Sequence, residues 1–385
     1  MNLRLTAEQE AFRRAVCELL CQERVGQEVA RARRLPADEE PGLLEIYRRL
    51  GERGWLAVNW PAEHGGLGAG IVEKAILTEE MILHGIPDVV HTLSVDIVGL
   101  AIQRLGTEEQ KRQWLPPIAA GDSVGCVLLS EPEVGSDLGS LSTRAEPDGD
   151  DWRLYGRKVY NLKSQFADLA LCAARTTSSD VRFHGITVFI VPMHTPGIRV
   201  EPIPSISDER FNEVVLSGIR MTPQDVLGEV DDGWQVLNGL LGLERTGIEF
   251  EAKARRLLDA VLDEAERTGS IQDSEYGERL VELDAEARAG RLLSWRALGS
   301  MAADTLDDVQ CAMAKWHTTE TAKLISELGP EICGLTALLS ARDELAPPGW
   351  LLESDLRDAP GRTLASGTSE MMLSLIASAG LGLLR

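Results

Sequence analysis

The spacing of apolar residues changes twice along this chain. Up to about residue 122 they recur at helical intervals, and Phe12, Val16, Leu19 and Leu20 mark the inward face of a first helix. Thr6 followed by Gln9 has the spacing of a capping box, in which each side chain satisfies the other residue's backbone N–H, and it sets where that helix starts. A Gly- and Pro-rich stretch over 59–68 interrupts the helices. The pattern then predicts a helix over about 71–84 and another beginning near Thr107.

Between about 123 and 229 the period shortens. Runs at 124–129, 152–160, 169–174 and 186–191 read as strands, and 146–151 carries the turn residues of a hairpin. From about 232 the helical period returns and holds to the end. The chain therefore reads as mainly α with a central β domain. A helical N-terminal domain spans 1–122, a small β-barrel or sandwich 123–230, and a C-terminal helical bundle 231–385. There is no internal repeat and no low-complexity segment.

Composition narrows the partners. At 385 residues the chain exceeds a single hydrophobic core, and 44% apolar residues are enough to fill several packed units. A formal net charge of -22 argues against nucleic acid and anionic membrane surfaces, though local basic groups can still hold an anionic cofactor. No apolar run approaches the ~20 residues of a membrane-spanning helix. The first ten residues become charged at once, so no signal peptide is expected and the reading is cytoplasmic. Cys17 and Cys21 lie one helical turn apart, but no second pair or histidine cluster accompanies them in the linear order. No metal site is expected, and the thiols read as bystanders in a reducing compartment.

The most informative local feature is a helix beginning near Asp232. Leu237, Leu240, Leu241 and Ile248 fall on one narrow stripe at about 100° per residue, and Glu244 lies in its middle. Burial raises a carboxyl's pKa toward neutrality, which suits a general base that must remove a weakly acidic carbon-bound proton. A structural glutamate, paired with an arginine or capping a neighbour, fits the same position. Arg245 points about 100° away and is not a partner on that face.

Two other strings are weaker. The glycines of 65–70 lack the spacing and the βαβ setting of a dinucleotide loop. Gly121-Asp122-Ser123-Val124-Gly125 matches a nucleophile elbow, but the order here is helix then strand, the reverse of what that motif needs, so it reads as a turn.

Several segments together resemble the acyl-CoA dehydrogenase family across nearly the whole chain. They are Arg104-Leu105-Gly106-Thr107-Glu108-Glu109-Gln110-Lys111, then Leu129-Ser130-Glu131-Pro132-Glu133-Val134-Gly135-Ser136-Asp137, then Gly156-Arg157-Lys158-Val159-Tyr160, and Ser366-Gly367-Thr368-Ser369-Glu370 near the end. The resemblance implies an FAD-dependent oxidoreductase of CH–CH donors that forms oligomers. It further implies an acyl-CoA or acyl-carrier-protein substrate and an electron-transfer flavoprotein as the usual acceptor.

It also implies site residues. The segment holding Leu128, Ser130, Gly135 and Ser136 would line the flavin ring, largely through backbone groups and a hydroxyl, with Ser136 near pantetheine as well. Many relatives carry the base just before the Gly-Thr of the C-terminal motif; here that residue is Ser366, which cannot serve. Another branch carries it on the earlier helix, where Glu244 matches, followed by Arg245 as a substrate contact. A bacterial branch with sterol side-chain enzymes, some built of two related chains, resembles this sequence over 279–293 and 364–370.

The departures matter. Tyr160 replaces the family's tryptophan against the flavin and keeps an aromatic ring. Leu162 replaces a hydroxyl residue that bonds the N5 region, and leucine cannot make that bond. The pyrophosphate segments are degraded, with Arg267 the remaining candidate, which points to a related partner chain completing the site. Two other readings stay open: a flavin-dependent monooxygenase on the same fold, and a flavin-free partner subunit.

Overall fold

The computed structural model describes residues 4–35, 39, 42–179, 181–244, 246–303, 305, 307–347 and 350–383, with the backbone alone for 239–244. The N-terminal part is helical: α1 (Ala7–Leu20), α2 (Glu23–Arg33), α3 (Glu45–Gly51), α4 (Ile71–Leu83), the short α5 (Val89–His91), a π-helix Thr92–Gly99, α6 (Leu100–Leu105) and α7 (Glu108–Ala119). The cap read from the sequence forms, and α7, expected near Thr107, has one too. Thr6 with Gln9 opens α1, and Thr107 with Gln110 opens α7. Gln110 does more than cap, because its Nε2 donates to the carbonyls of Gln224 (2.8 Å) and Val226 (2.9 Å), tying α7 to the sheet domain.

The strands are β1 (Gly125–Leu128), β2 (Arg144–Asp148), β3 (Asp151–Leu162), β4 (Leu169–Arg175), β5 (Ile186–Pro192), β6 (Ile198–Ile203), β7 (Phe211–Met221) and β8 (Val226–Leu227). They form one eight-stranded mixed sheet, ordered β6-β7-β3-β2-β4-β5-β8, with β1 parallel to β4. β4 and β5 are buried on both faces and accordingly read as unbroken apolar runs. β6, at the edge, alternates and carries Arg199, Glu201 and Pro202, residues that discourage pairing with another chain. The hairpin between β2 and β3 turns at Gly149, whose φ of 67° is the left-handed conformation that a tight two-residue turn requires.

The C-terminal part comprises α8 (Gly233–Glu244), α9 (Ile248–Thr268), α10 (Ser274–Ala302), α11 (Asp308–Cys333), α12 (Leu352–Arg362) and α13 (Ser369–Leu375), then a short π-helix Ile376–Gly380. α9, α10 and α11 bury a shared core that includes Leu257, Val261, Leu283 and Ile325. α4 packs on α9 and α10, while the π-helix Thr92–Gly99 packs on β1. Among the described residues no helix is long and apolar enough to cross a membrane.

One expectation needs correction. The stripe was drawn through a single helix reaching Ile248, but α8 stops at Glu244 and Gly247, at φ 79°, starts α9. Ile248 therefore belongs to a different helix, and a constant angle per residue cannot be carried across the break. A Cβ at Gly247 would lie 2.8 Å from Ser294 Oγ and 3.0 Å from Ala314 Cβ, so both the backbone and the neighbours demand glycine. Gly247→Ala is expected to lower stability by about 1–3 kcal/mol from the backbone alone, read as a drop in the thermal midpoint.

Candidate active site

Glu244 ends α8, a helix that packs against β5, α6 and the π-helix Thr92–Gly99. Its side chain lies outside the described residues, as do the side chains of Leu240 and Leu241 and the whole of Arg245. Leu237 and Ile248, on either side, are buried as expected. Thr246, Ile248 and Glu249 line a cleft of about 390 Å³, counting space that opens to solvent. Across it stand Ile71, Lys74 and Thr78 of α4 and Thr92 and Asp96 of the π-helix. Lys74 Nζ is 2.9 Å from Asp96, so the charges on that wall are paired.

The π-helix connects this cleft to the sheet. Ser94 Oγ accepts from the Gly125 N–H at 2.9 Å, and a Cβ on Gly125 would meet Val98 at 3.0 Å, so β1 lies flat on the π-helix. π-Helices cost hydrogen-bond geometry and recur at functional sites. β1 then leads into the 129–137 segment. Leu128 is fully buried in the main core, so its side chain cannot reach a ligand and only its backbone is available. Ser130 is half-buried, and its carbonyl accepts from the Val159 N–H at 2.9 Å. That bond joins the segment to β3 one residue before Tyr160. Gly135 and Ser136 are exposed, and a Cβ on Gly135 would meet nothing within 4 Å.

A buried ion pair holds this segment in place. Lys158 Nζ donates to Glu131 Oε1 at 2.9 Å and to the Leu129 carbonyl at 3.0 Å. Glu131 also accepts from Ser142 N–H (2.7 Å), Ser142 Oγ (2.6 Å) and Thr143 N–H (2.8 Å). Burial by itself pushes the Glu131 carboxyl up. The Lys158 charge and the Ser142 and Thr143 hydrogen bonds outweigh it and hold the group down at about 2. Sequence reading missed this pair. The available signal was register: Lys158 shares the alternating face of Trp152 and Leu154 on β3, and a buried cation needs a partner.

Tyr160 owes its direction to a β-bulge. Lys158 pairs with Val214 and Asn161 with Asn212, leaving Val159 and Tyr160 opposite Glu213 alone. Tyr160 takes φ 58° and turns out of the sheet, 63% exposed, with its ring edge-on to Phe211 at 6.3 Å between centroids. Asn161 and Asn212 lock the bulge: Asn212 Nδ2 donates to the Asn161 carbonyl at 3.2 Å and Asn161 Nδ2 to the Asn212 carbonyl at 3.3 Å. Leu162 pairs with Phe211 and is half-buried. Ser164 is 3% exposed, and its Oγ has no hydrogen-bond partner among the described residues. The open Gly135 on the 129–137 segment, with the exposed Tyr160 ring and the buried Ser164 hydroxyl on the stretch that the Ser130–Val159 bond joins to it, fits a planar, polar-edged ligand.

Arg267 sits apart from this cluster, in the last turn of α9. Its Nε and Nη2 both donate to Glu264 at 2.6 Å, and its side chain is 63% exposed. Ser366, with φ 53°, precedes Gly367, whose carbonyl accepts from the buried Lys315 Nζ at 2.7 Å; Thr368 Oγ then caps α13. This C-terminal motif is a tightly held corner. The glycines of 65–70 are structural too: a Cβ on Gly66 would lie 2.2 Å from the Trp60 carbonyl oxygen. Ser123 lies between a helix and a following strand, as the turn reading expected.

The architecture is helix–sheet–helix, with a cleft at the α8–α9 corner walled by α4 and the π-helix. Three family models match: acyl-CoA dehydrogenase N-terminal domain over residues 6–122, middle domain over 126–219 and C-terminal domain over 231–381. The chain belongs to the acyl-CoA dehydrogenase family, oxidoreductases that act on CH–CH donors in acyl thioesters. It is 32% identical over 366 residues to acyl-CoA dehydrogenase FadE26 of Mycobacterium tuberculosis, covering 90% of each chain. Among solved structures it is similar to the Tcur3481-Tcur3483 steroid ACAD, at TM-score 0.90, 29% identity and full coverage of both chains. It is also similar to the ChsE4-ChsE5 complex from Mycobacterium tuberculosis, at TM-score 0.85, 30% identity and full coverage of both.

Proposed function

We propose that this chain takes the α-proton of an acyl thioester with Glu244 as the base and binds FAD as its cofactor, within domains bounded near residues 122 and 230. The observation that supports the base is the α8–α9 corner. It ends a helix at position 244, two residues before Thr246 on the cleft wall, and the π-helix on the opposite wall carries β1 and the 129–137 segment.

Bound FAD supplies the acceptor for the β-hydrogen, which leaves as hydride. The protein's share is placement. Backbone groups of the 128–136 segment, with the Ser130 hydroxyl, would hold the ring's polar edge. Backbone donors there favour the negative charge that the edge gains on reduction. Tyr160 would cover one face of the ring. Leu162 offers no hydroxyl, and the unpartnered Ser164 Oγ is the nearest buried hydroxyl in the chain order to take its place. Ser136 and Arg245 are the proposed substrate contacts. Hydrogen bonds to the thioester carbonyl acidify the α-carbon, and Glu244 then removes its proton.

The decisive experiment is anaerobic mixing of the flavin-loaded protein with a panel of acyl thioesters, including acyl-CoA and acyl-carrier-protein forms. Loss of flavin absorbance with formation of the α,β-unsaturated product is expected. Oxygen consumption with a hydroxylated product would replace this reading by the monooxygenase one. We assign reoxidation to an electron-transfer flavoprotein, and the free thiols support a reducing, cytoplasmic setting.

One observation favours a mixed oligomer. Arg267, the remaining pyrophosphate candidate, is paired with Glu264 on the C-terminal bundle, and among the described residues it makes no ion pair with the sheet domain. Similar solved structures carry paired names, Tcur3481-Tcur3483 and ChsE4-ChsE5. A related second chain would supply the missing groups. Stoichiometric FAD on the purified chain alone, as a homo-oligomer, would remove this proposal.

A further inference from the structure

α1 and α4 lie side by side and run in the same direction, so matching turns face each other along their length. Gln9 Nε2 donates to Glu73 at 3.1 Å near the helix starts, Cys17 Sγ donates to Glu80 Oε2 at 3.1 Å further along, and Cys21 Sγ lies 3.3 Å from His84 Nε2 at the ends. Cys17 and Cys21 are one turn apart on α1 and at its cap; Glu80 and His84 are one turn apart on α4 and at its cap. The ligand atoms of Cys17, Glu80 and His84 all fall within 4.8 Å of one another.

From this geometry we infer a site for a single divalent transition-metal ion of the zinc type, held by Cys17, Cys21, Glu80 and His84. Tetrahedral bonds of ~2.0–2.3 Å place ligand atoms roughly 3.3–3.8 Å apart; the Cys17–Glu80 (3.1 Å) and Cys21–His84 (3.3 Å) contacts are near that spacing, and an ion would draw the two pairs together. Thiolate and imidazole ligands select zinc-type ions over magnesium and calcium, which prefer all-oxygen cages.

The surroundings orient each ligand. His84 Nδ1 is 2.8 Å from the Glu80 carbonyl oxygen, which can only accept, so Nδ1 carries the proton and Nε2 presents its lone pair to Cys21. Arg13 Nε sits 2.8 Å from Glu80 Oε1 and leaves Oε2 turned toward Cys17. Both helices end at the site, and the partial negative charge of two helix C-termini favours a cation. Binding releases the two thiol protons and joins α1 to α4, the helix whose Ile71, Lys74 and Thr78 line the cleft.

The test uses the full-length chain stripped of metal and titrated with Co²⁺, then Zn²⁺. One equivalent of Co²⁺ should give the thiolate-to-cobalt charge-transfer absorption, Zn²⁺ should displace it, and Zn²⁺ should raise the thermal midpoint by mass action on the folded state. Cys17→Ser and His84→Ala should each lose the absorption. Cys21→Ser, at an exposed position that tolerates the change, should weaken it while the apoprotein's unfolding midpoint stays where it was. Absence of the absorption at stoichiometric Co²⁺ would overturn the site. So would an absorption that survives in the Cys17→Ser/Cys21→Ser double variant.

Discussion

Glu244→Gln is expected to slow reduction of the bound flavin by acyl thioester by roughly 10²–10⁴-fold, the range lost when a positioned general base is removed. Glutamine keeps the shape and polarity of the side chain but cannot take a proton at neutral pH. Flavin content and thioester affinity should therefore stay near wild type while the anaerobic stopped-flow rate collapses. A second change sharpens the assignment. The family resemblance implies that residues 244 and 366 approach the same substrate carbon from different elements. Glu244→Gln/Ser366→Glu should therefore recover part of the rate. Recovery should be incomplete, because residue 366 sits at φ 53°, where any side chain other than glycine is strained. Full activity in Glu244→Gln alone would place the base elsewhere.

Lys158→Met should be the most destabilising single change in the sheet domain. Lys158 is fully buried and Glu131 is 3% exposed, so the variant leaves a carboxylate in the interior without its cation. Breaking a buried pair this way costs about 3–5 kcal/mol, whereas replacing both partners is often close to neutral. Urea unfolding should show the single variant falling furthest, with Lys158→Met/Glu131→Gln recovering most of the loss. Because the pair anchors the 129–137 segment, flavin content should fall with stability in the single variant and return in the double.

The same pair predicts a pH dependence. Glu131 sits at about 2 in the folded chain against an ordinary 4.5, so the unfolded chain binds its proton more readily. A depressed folded pKa contributes stability that is complete above the ordinary value and is lost as pH falls toward the folded one. Wild-type stability from this group should thus decline from about pH 4.5 down to about pH 2. In the Lys158→Met/Glu131→Gln variant that part of the decline should be missing. An unchanged acid limb in the double variant would show that Glu131 does not govern it.

Some of the protein was legible without coordinates because the governing forces act over a few residues. Thr6 with Gln9 capped α1 as expected, since a capping box closes within one turn, and α7 began beside Thr107 where the pattern put it. The apolar runs at 169–174 and 186–191 became the doubly covered strands β4 and β5. Gly247 was also legible: a glycine after a helical stripe is a stop signal, and extending the stripe to Ile248 overlooked it. Position 244 lies before the break, at the end of α8 and not in the middle of the stripe.

By itself, the sequence determined the order of helices and strands, their caps and turns, and the family to which the chain belongs, since each is written in contiguous residues. The tertiary structure alone decided which distant groups share one environment. Lys158 found Glu131 across 27 positions, Cys17 found Glu80 across 63, and Tyr160 was turned outward by its pairing opposite Glu213. None of these follows from a local period. A buried charge, a ligand set or a bulge is specified by packing between elements, and the low-dielectric interior then makes each such meeting strong enough to matter.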